Sequence, residues 1–278
     1  MTKENNNEVK KKRHLKWQIK MLIIIVVSAL LIYFIGTKGI FIKEYKLETP
    51  KIDTNMHGLK IVQFSDVHFN SNTYKDKIKL LVNKINDTKS DIVIFTGDLI
   101  DESYEISDDD ASFLKKELSK INAELGKYYI TGEEDNASSN QILNTSSFIN
   151  LDDTYEMVYK DSKKPIILIG KNGLKEELKT EDKFKLLLLH DPNDIKKSKE
   201  YIVDVALSGH THNGQINIPK LKELFIKGDY YKNYQVAYET KLFINPGIGT
   251  SKVNIRLFNH PTIYLYRLYK TNEKSTSS

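Results

Sequence analysis

The chain has 278 residues, 40% of them hydrophobic and 28% charged, a composition that buries a substantial core and excludes wholesale disorder. Its net charge of +5 equals the excess of basic over acidic residues in residues 1–20, so the remaining chain is neutral. A neutral body lacks the broad positive field of nucleic-acid-binding proteins, and we expect no nucleic-acid partner. The absence of cysteine excludes disulfides, thiolate metal sites and cysteine nucleophiles. Any metal ion must be held by histidine and carboxylate.

An apolar run follows the basic N-terminus. Residues 21–35 carry no charge, and residues 17–37 reach the length of about twenty residues that a helix needs to cross a bilayer. No small-residue cleavage pattern follows this run, which favours an uncleaved transmembrane anchor over a removed signal peptide. The positive-inside rule then predicts a basic cytoplasmic tail over residues 1–16 and a cell-membrane protein whose remaining chain lies outside the cytoplasm. A buried soluble helix is the alternative.

After a polar connector over residues 38–56, apolar runs of strand length alternate with helical patterns, which predicts one α/β domain over residues 57–270. Residues 136–154, rich in Asn, Ser and Asp, predict a surface insertion or loop, and residues 271–278 a flexible tail. The predicted elements are, in chain order, strand 59–64, helix 74–85, strand 91–95, helix 111–125, strand 127–130, and then strands 166–169, 185–189, 203–207, 235–237, 242–244 and 262–268.

Residue types that bind metals follow four of these predicted strands. Open α/β sheets bind ligands at the carboxyl ends of their strands, so side chains at these positions are expected to lie together. Residues i and i+2 of an extended chain point the same way, so Asp66 and His68 can close on one ion. The candidates are Asp66, His68, Asp98, His190, His210 and His212.

A lone Asp-x-His motif is weak evidence, because turn residues such as Asp and Gly are common after strands, and His190 alone fits a capped turn as well as a ligand. The pair His210 and His212 is stronger evidence, because paired imidazoles flanked by Gly and Asn favour a metal. Together these motifs supply two carboxylates and four imidazoles, enough for two cations that share a carboxylate. Two adjacent cations polarise a phosphoryl oxygen and turn a bridging water into hydroxide, which suits phosphate ester hydrolysis. Mixed oxygen and nitrogen ligands fit Mn²⁺, Fe or Zn²⁺ alike. The remaining histidines, His14, His57 and His260, are interpreted as non-ligands.

The order and sequence of these motifs resemble the calcineurin-like metallophosphoesterase family over roughly residues 57–269. The closing segment 245–268 resembles its exported or membrane-tethered bacterial branch, often called YkuE-like. The resemblance implies an α/β fold in the form of a four-layer αββα sandwich. It also implies that Asp66, His68 and His212 bind one metal, that Asp98 bridges, and that His190 and His210 bind the second. The shared blocks are SDVH (65–68), GDLID (97–101), GEED (132–135), LLLLHDP (186–192) and SGHTHNGQI (208–216).

One block departs from the family pattern. Family members carry Gly-Asn-His and then Asp or Glu, with Asn on the second metal and His at the phosphate or leaving group, whereas this chain has Glu133, Glu134 and Asp135 after Gly132. Glu133 can still ligate a hard cation. Glu134 and Asp135 then occupy the catalytic positions, and a carboxyl group serves as a general acid only when burial or a neighbouring anion keeps it protonated. The alternative is that the loop has drifted and Glu134 faces solvent.

These inferences predict a membrane-anchored, extracytoplasmic enzyme with two divalent metal ions. By a metal-bridged hydroxide it would hydrolyse a phosphodiester or pyrophosphate in a small molecule or a lipid-linked substrate. The Glu133-Glu134 pair motivates the alternative of a catalytically weakened relative that binds metal or a phosphate ligand without efficient turnover. A purely structural anchor protein would require the four strand-end histidines to be coincidental.

Overall fold

The computed structural model describes residues 3–70, 75–212, 214, 230, 232–250, 256 and 258–272. It begins with one long helix, α1 (Lys3–Lys38). The segment Arg13–Leu31 of this helix is long and apolar enough to cross a membrane, and none of it is buried against the rest of the chain. Among the described residues, this segment therefore does not pack as a core helix of the domain. Residues 273–278 of the predicted tail and residues 1–2 of the predicted cytoplasmic tail lie outside the described residues.

The described residues form two six-stranded sheets, with spatial orders β1-β12-β2-β3-β4-β5 and β10-β11-β9-β8-β7-β6. In each sheet four neighbouring strands are parallel, namely β2 to β5 in the first and β7, β8, β9 and β11 in the second. The strands are β1 (Phe41–Thr49), β2 (Lys60–Phe64), β3 (Ile92–Phe95), β4 (Lys127–Tyr129), β5 (Phe148–Asn150), β6 (Tyr155–Val158), β7 (Ile166–Ile169), β8 (Lys185–Leu188), β9 (Val205–Ser208), β10 (Tyr234–Ala237), β11 (Thr240–Ile244) and β12 (Thr262–Lys270).

Helices connect the parallel strands of the first sheet. They are α2 (Lys75–Asp87), α3 (Asp108–Leu118) and α4 (Ala137–Thr145), which follow β2, β3 and β4 in turn. The side chain of Ser107 caps α3 by accepting from the backbone N–H of Asp110, and three aspartates in the first turn suit the positive end of the helix dipole. Because of this cap, α3 begins three residues earlier than residue 111, where the apolar pattern starts, and it ends at Leu118 instead of residue 125.

Successive side chains of each strand point to opposite faces of its sheet, so the core forms separate layers on the two sides. Val62 and Phe64 of β2 pack against the helices, whereas Ile61 packs between the two sheets. The outer side of the second sheet is covered, among the described residues, by 3-10 helices at Glu176–Lys179 and Pro192–Ser198. The four-layer αββα prediction is thus confirmed, with short helical turns as the fourth layer.

Two segments predicted to lack regular structure are folded. Residues 38–56, the expected connector, contain β1, which pairs with β12 along its whole length. Residues 136–154, the expected loop, contain α4 and β5. The Asn and Ser content there is partly a capping signal, because the side chain of Asn136 accepts from the backbone N–H groups of Ser138 and Ser139 at the start of α4.

The strand directions bring the ends of β2 and β3 and the starts of β1 and β12 to one edge of the first sheet. The parallel strands β2 and β3 end there. Because β12 is antiparallel to β2, and β1 is parallel to β12, both β1 and β12 begin at the same edge. The backbone N–H of Phe41, at the start of β1, donates to the carbonyl of Pro261 at 2.9 Å. The chain therefore passes from α1 into the sheet at the edge where the predicted ligands lie.

Candidate metal centre

The backbone is strained at the predicted ligands. The dihedral φ is positive at five of them, a region that side chains with a Cβ rarely adopt and that costs about 1–3 kcal/mol for each residue. Such strain persists only where the surrounding structure enforces it, and it is typical of functional sites. The residues are Asp66 (48°), His68 (43°), Asp98 (64°), His210 (62°) and His212 (47°).

Glycines let these strand ends approach one another. A Cβ on Gly209 would lie 2.4 Å from Oδ2 of Asp66. A Cβ on Gly97, where φ is 100°, would lie 2.5 Å from the backbone nitrogen of Gly132 and 2.6 Å from Nδ1 of His190. Since carbon atoms do not pack at these distances, only glycine permits this spacing.

One group of candidate ligands comprises Asp66, His68 and His212. Their ligand atoms all lie within 4.8 Å of one another, and Nε2 of His68 is 2.9 Å from Nε2 of His212. Nδ1 of His68 lies 2.8 Å from Oε2 of Glu134. Because a carboxylate only accepts, Nδ1 carries a hydrogen, and Nε2 of the neutral ring presents a lone pair toward the group. One carboxylate and two imidazoles directed at one point form a donor set for a divalent cation.

A second group comprises Asp66, Asp98 and His190. The ring nitrogen Nδ1 of His190 donates to the carbonyl of Thr96 at 2.8 Å, which leaves Nε2 with the lone pair in the neutral ring. Nε2 lies 3.0 Å from Oδ2 of Asp98 but lacks hydrogen-bond alignment, and among the described residues it has no hydrogen-bond partner. A buried ring nitrogen without a hydrogen-bond partner beside two carboxylates fits a site that takes up a cation, either a proton or a metal ion.

The charges of the centre favour bound cations. Burial raises the pKa of Asp66. Burial disfavours the charged forms of Asp98 and His190 too, but their mutual attraction outweighs it, so the pKa of Asp98 is lowered and that of His190 rises to about 10. His212 is held neutral, because burial and the neighbouring His68 and Arg256 keep its pKa well below its usual value. The buried carboxylates are therefore stabilised by positive charge beside them, which protons or metal ions can supply.

The predicted ligands Glu133 and His210 lie outside these compact groups, closer to the protein surface. Nδ1 of His210 lies 3.3 Å from Oε1 of Glu133, whose side chain is 62% exposed. The His210 ring stands 5.2 Å from the His190 ring, and the backbone N–H of His210 donates to Oδ1 of Asp66 at 2.9 Å. The two residues thus form a pair beside the second group.

Glu134 points into the protein. Its side chain is only 13% exposed, and Oε2 accepts from Nδ1 of His68 at 2.8 Å and from the backbone N–H of Glu102 at 3.0 Å. Its own backbone N–H donates to Oδ1 of Asp98 at 3.0 Å. The alternative that Glu134 faces solvent is therefore wrong. A third group of candidate ligands, His68, Asp98 and Glu134, also lies within 4.8 Å.

Asp135 supports a loop. Oδ2 accepts from the backbone N–H groups of Asp98 and Gly132 at 2.8 and 2.9 Å, and Oδ1 accepts from that of Leu99 at 2.9 Å. The carboxylate therefore faces three amides of the chain around Asp98. The expectation that Asp135 is catalytic does not fit these contacts, because the carboxylate that would have to act on a substrate already accepts three backbone hydrogen bonds.

Residues 59–214 match the model of the calcineurin-like phosphoesterase family. The chain belongs to this family. It is similar to the metallophosphoesterase YkuE of Bacillus subtilis, with 29% identity over 247 residues that cover 82% of this chain and 85% of that protein. It is also similar to YkoQ of the same species, at 26% over 251 residues, covering 81% of this chain and 91% of that protein. A transmembrane protein with a metallophosphoesterase domain from Danio rerio is 24% identical over 272 residues, covering 87% and 61%. The predicted family and its YkuE-like branch are confirmed.

Two residues that support this phosphoesterase centre were not identified from the sequence. The side-chain amide of Asn259 donates to the carbonyls of His212 and Gly214. The fully buried Arg256 donates to the carbonyl of Pro246 at 2.8 Å, and its Nη2 lies 3.3 Å from Nδ1 of His212. The only signal in the sequence was the family resemblance of segment 245–268, which marks the segment and assigns no role to either residue.

Proposed function

We propose that this protein is a membrane-anchored phosphohydrolase that uses two divalent metal ions to hydrolyse a phosphodiester or a pyrophosphate outside the cytoplasm. The observation that carries the proposal is the pair of adjacent ligand groups that share Asp66, in a chain of the calcineurin-like phosphoesterase family. Family membership supports phosphoester hydrolysis, and the donor atoms support metal binding.

The residues present fit two cations. Asp66, His68 and His212 would hold the first, Asp98 would lie between the two, and His190 would hold the second, with His210 and Glu133 beside it. Nitrogen and oxygen donors without sulfur suit Mn²⁺, Fe or Zn²⁺. When bound, two such ions neutralise phosphate charge and lower the barrier to attack by water.

Glu134 has a positioning role in this proposal. It holds the ring of His68 with Nδ1 protonated, so that Nε2 faces the centre, as carboxylates commonly do for metal-binding histidines. Its Oε2 accepts from His68 and from the amide of Glu102, so this oxygen is engaged in positioning and not in protonating a leaving group. The replacement of the family histidine by Glu134 thus favours leaving groups that depart as stable anions, such as the phosphate of a pyrophosphate.

The location of the reaction follows from the anchor. Residues 1–20 carry the positive excess of the chain, which supports a cytoplasmic N-terminus and a catalytic domain on the other side of the membrane. The partner would be a phosphate-containing small molecule or a lipid-linked substrate. The neutral composition of the remaining chain argues against nucleic acid.

The contacts of Glu134 also favour a second candidate function, a surface protein that binds metal or a phosphate ligand with little turnover. The two functions differ in an assay of the purified full-length protein in detergent with Mn²⁺. Bis(4-nitrophenyl) phosphate and 4-nitrophenyl phosphate are the probes, and Asp98→Asn sets the background. Turnover well above this background supports the hydrolase, whereas metal retention without such turnover supports the binder.

Restoring the family residue tests the role of Glu134 directly. If Glu134→His increases turnover by orders of magnitude, the natural protein is catalytically weakened. If turnover falls, Glu134 has a role of its own, as the contact with His68 indicates. A protein that neither retains metal nor hydrolyses either probe contradicts both candidate functions.

A further inference from the structure

The edge of the sheet that carries the ligand groups is also the edge nearest to the predicted anchor. Only Gly39 and Ile40 separate α1 from β1, so Phe41 lies within about 10 Å of the end of the helix. The helix that carries the predicted anchor ends at Lys38, so the chain enters the sheet directly after it. The opposite edge of the sheet is farther along the chain by the length of β1, about 30 Å.

Exposed apolar side chains stand at this edge beside the ligand groups. Phe41 and Ile42 are 46% and 42% exposed, and Phe258 is 61% exposed. We call these three residues the apolar rim. Phe258 has a φ of 56°, a conformation that an aromatic residue rarely adopts and that costs about 1–3 kcal/mol.

The rim is connected to the metal centre through His260 and Asn259. The ring of Phe41 packs against that of His260, with centroids 4.8 Å apart. Asn259, between Phe258 and His260, donates to the backbone carbonyl of His212, a member of the first ligand group. The rim and the first ligand group therefore lie at the same edge of the sheet, joined by the segment Phe258 to His260.

We propose that the apolar rim docks on the outer surface of the bilayer that holds α1, and that the substrate is a phosphate ester or pyrophosphate whose apolar chain stays in that bilayer. Phe41 and Ile42 follow the anchor closely, so the bilayer is an apolar surface that the chain itself brings to this edge. Aromatic and aliphatic side chains of this kind insert at the boundary between headgroups and acyl chains. Docking places the metal centre at the depth of lipid phosphates.

The membrane contact is tested without any assay of turnover. The chain has no cysteine, so Phe258→Cys gives a unique site for an environment-sensitive fluorophore in the full-length protein. The matched control is Ile202→Cys, a 66% exposed apolar residue just before β9, at the opposite edge of the strands. Both are reconstituted into phosphatidylcholine vesicles that contain lipids with a nitroxide quencher near the headgroup.

We expect the quencher to reduce the fluorescence of the label at position 258 at least about twofold and to leave the label at position 202 unchanged. Equal behaviour of the two labels, quenched or not, overturns the docking proposal. This readout is independent of the proposed function, because a protein without turnover still reports whether its rim lies on the bilayer.

The substrate class rests on the proposed function and needs a second measurement. Hexadecyl and ethyl 4-nitrophenyl phosphate are phosphodiesters with the same leaving group, and only the first stays in a vesicle. Replacing the rim by serine (Phe41→Ser, Ile42→Ser, Phe258→Ser) should reduce the ratio of hexadecyl to ethyl turnover about tenfold, whereas Ile202→Ser should leave the ratio unchanged.

An unchanged ratio in the rim variant overturns the membrane-resident substrate. Failure of the proposed function gives a different result, in which the wild-type protein hydrolyses neither ester faster than Asp98→Asn does. In that case the label at position 258 still decides whether the rim docks.

Discussion

The two edges of the same pair of sheets differ in almost every physical property. At the carboxyl edge, buried carboxylates and imidazoles crowd within 4.8 Å on a strained backbone. At the amino edge, a cavity of about 600 Å³ is lined by residues such as Lys51, Tyr201, Asp204 and Lys241. The charges there form ordinary pairs, such as Lys51 with Asp204 at 2.9 Å, both partly exposed.

This difference shows that cavity volume alone does not locate chemistry in this fold. The charged groups around the cavity at the amino edge are partly solvated and paired, and such pairs contribute at most about 1 kcal/mol. At the carboxyl edge, backbone strain and buried charge reduce the stability of the fold. A fold tolerates such losses where function requires them. Four sets of variants test this difference between the two edges.

The largest effect is expected from Asp66→Asn. Asparagine keeps the shape and can still accept from the amide of His210, but it removes a charge that both ligand groups share. Turnover of bis(4-nitrophenyl) phosphate should fall about 1,000-fold. The matched control is Asp204→Asn, which removes a carboxylate that accepts from the amide of Lys185 at the other edge. Similar losses in the two variants would contradict the comparison.

The next largest effect is expected from Gly97→Ala. Both Gly97 and Gly58 have positive φ, of 100° and 84°, so alanine brings backbone strain at either position. At Gly97 the new Cβ also meets the backbone of Gly132, whereas nothing lies within 4 Å at Gly58. Gly97→Ala should therefore reduce the free energy of unfolding by about 1–3 kcal/mol more than Gly58→Ala, as measured by urea denaturation. Equal losses would mean that the strand ends are not tightly packed.

A smaller effect is expected from Glu134→Ala, which leaves the ring of His68 without its carboxylate partner. Metal affinity or turnover should fall about 10–100-fold, with partial rescue in Glu134→Gln, because the amide oxygen can still accept from Nδ1. Glu102→Ala is the control, since only the backbone of Glu102 contacts Glu134. Metal titration that shows no difference between Glu134→Ala and the control would exclude the positioning role.

The smallest effect is expected from Lys51→Ala at the amino edge. Its ion pair with Asp204 is partly exposed, so the free energy of unfolding should change by less than about 1 kcal/mol and turnover should be unaffected. A large loss of turnover in this variant would show that the two edges are functionally coupled.

The strands that carry the centre could be predicted from sequence because each is a short, mostly apolar run followed by polar residues. The prediction for β7 (Ile166–Ile169) matches the structure at both ends, and that for β8 differs by one residue. The candidate ligands followed from the rule that chemistry collects at the carboxyl ends of parallel strands. Five of them, Asp66, His68, Asp98, His190 and His212, lie in the compact groups.

The remaining features depend on contacts that a local pattern does not contain. β1 is an edge strand with mostly exposed side chains, and its partner β12 begins 221 residues later, at the pair Phe41 and Thr262. The contact between Glu134 and His68 spans 66 residues. From the sequence alone, Glu134 is only an acidic residue in a loop. Glu134 becomes a partner of His68 only after the folded sheet has brought the two loops together.

The most direct test of the two-cation centre is the electron paramagnetic resonance spectrum of the full-length protein, reconstituted with Mn²⁺ and freed of unbound metal. Two adjacent ions that share a carboxylate predict an exchange-coupled spectrum with two manganese ions retained by each chain, and loss of this coupling in Asp98→Asn. A spectrum of isolated Mn²⁺, or a chain that retains no manganese, would contradict the convergence of these ligands on a pair of ions.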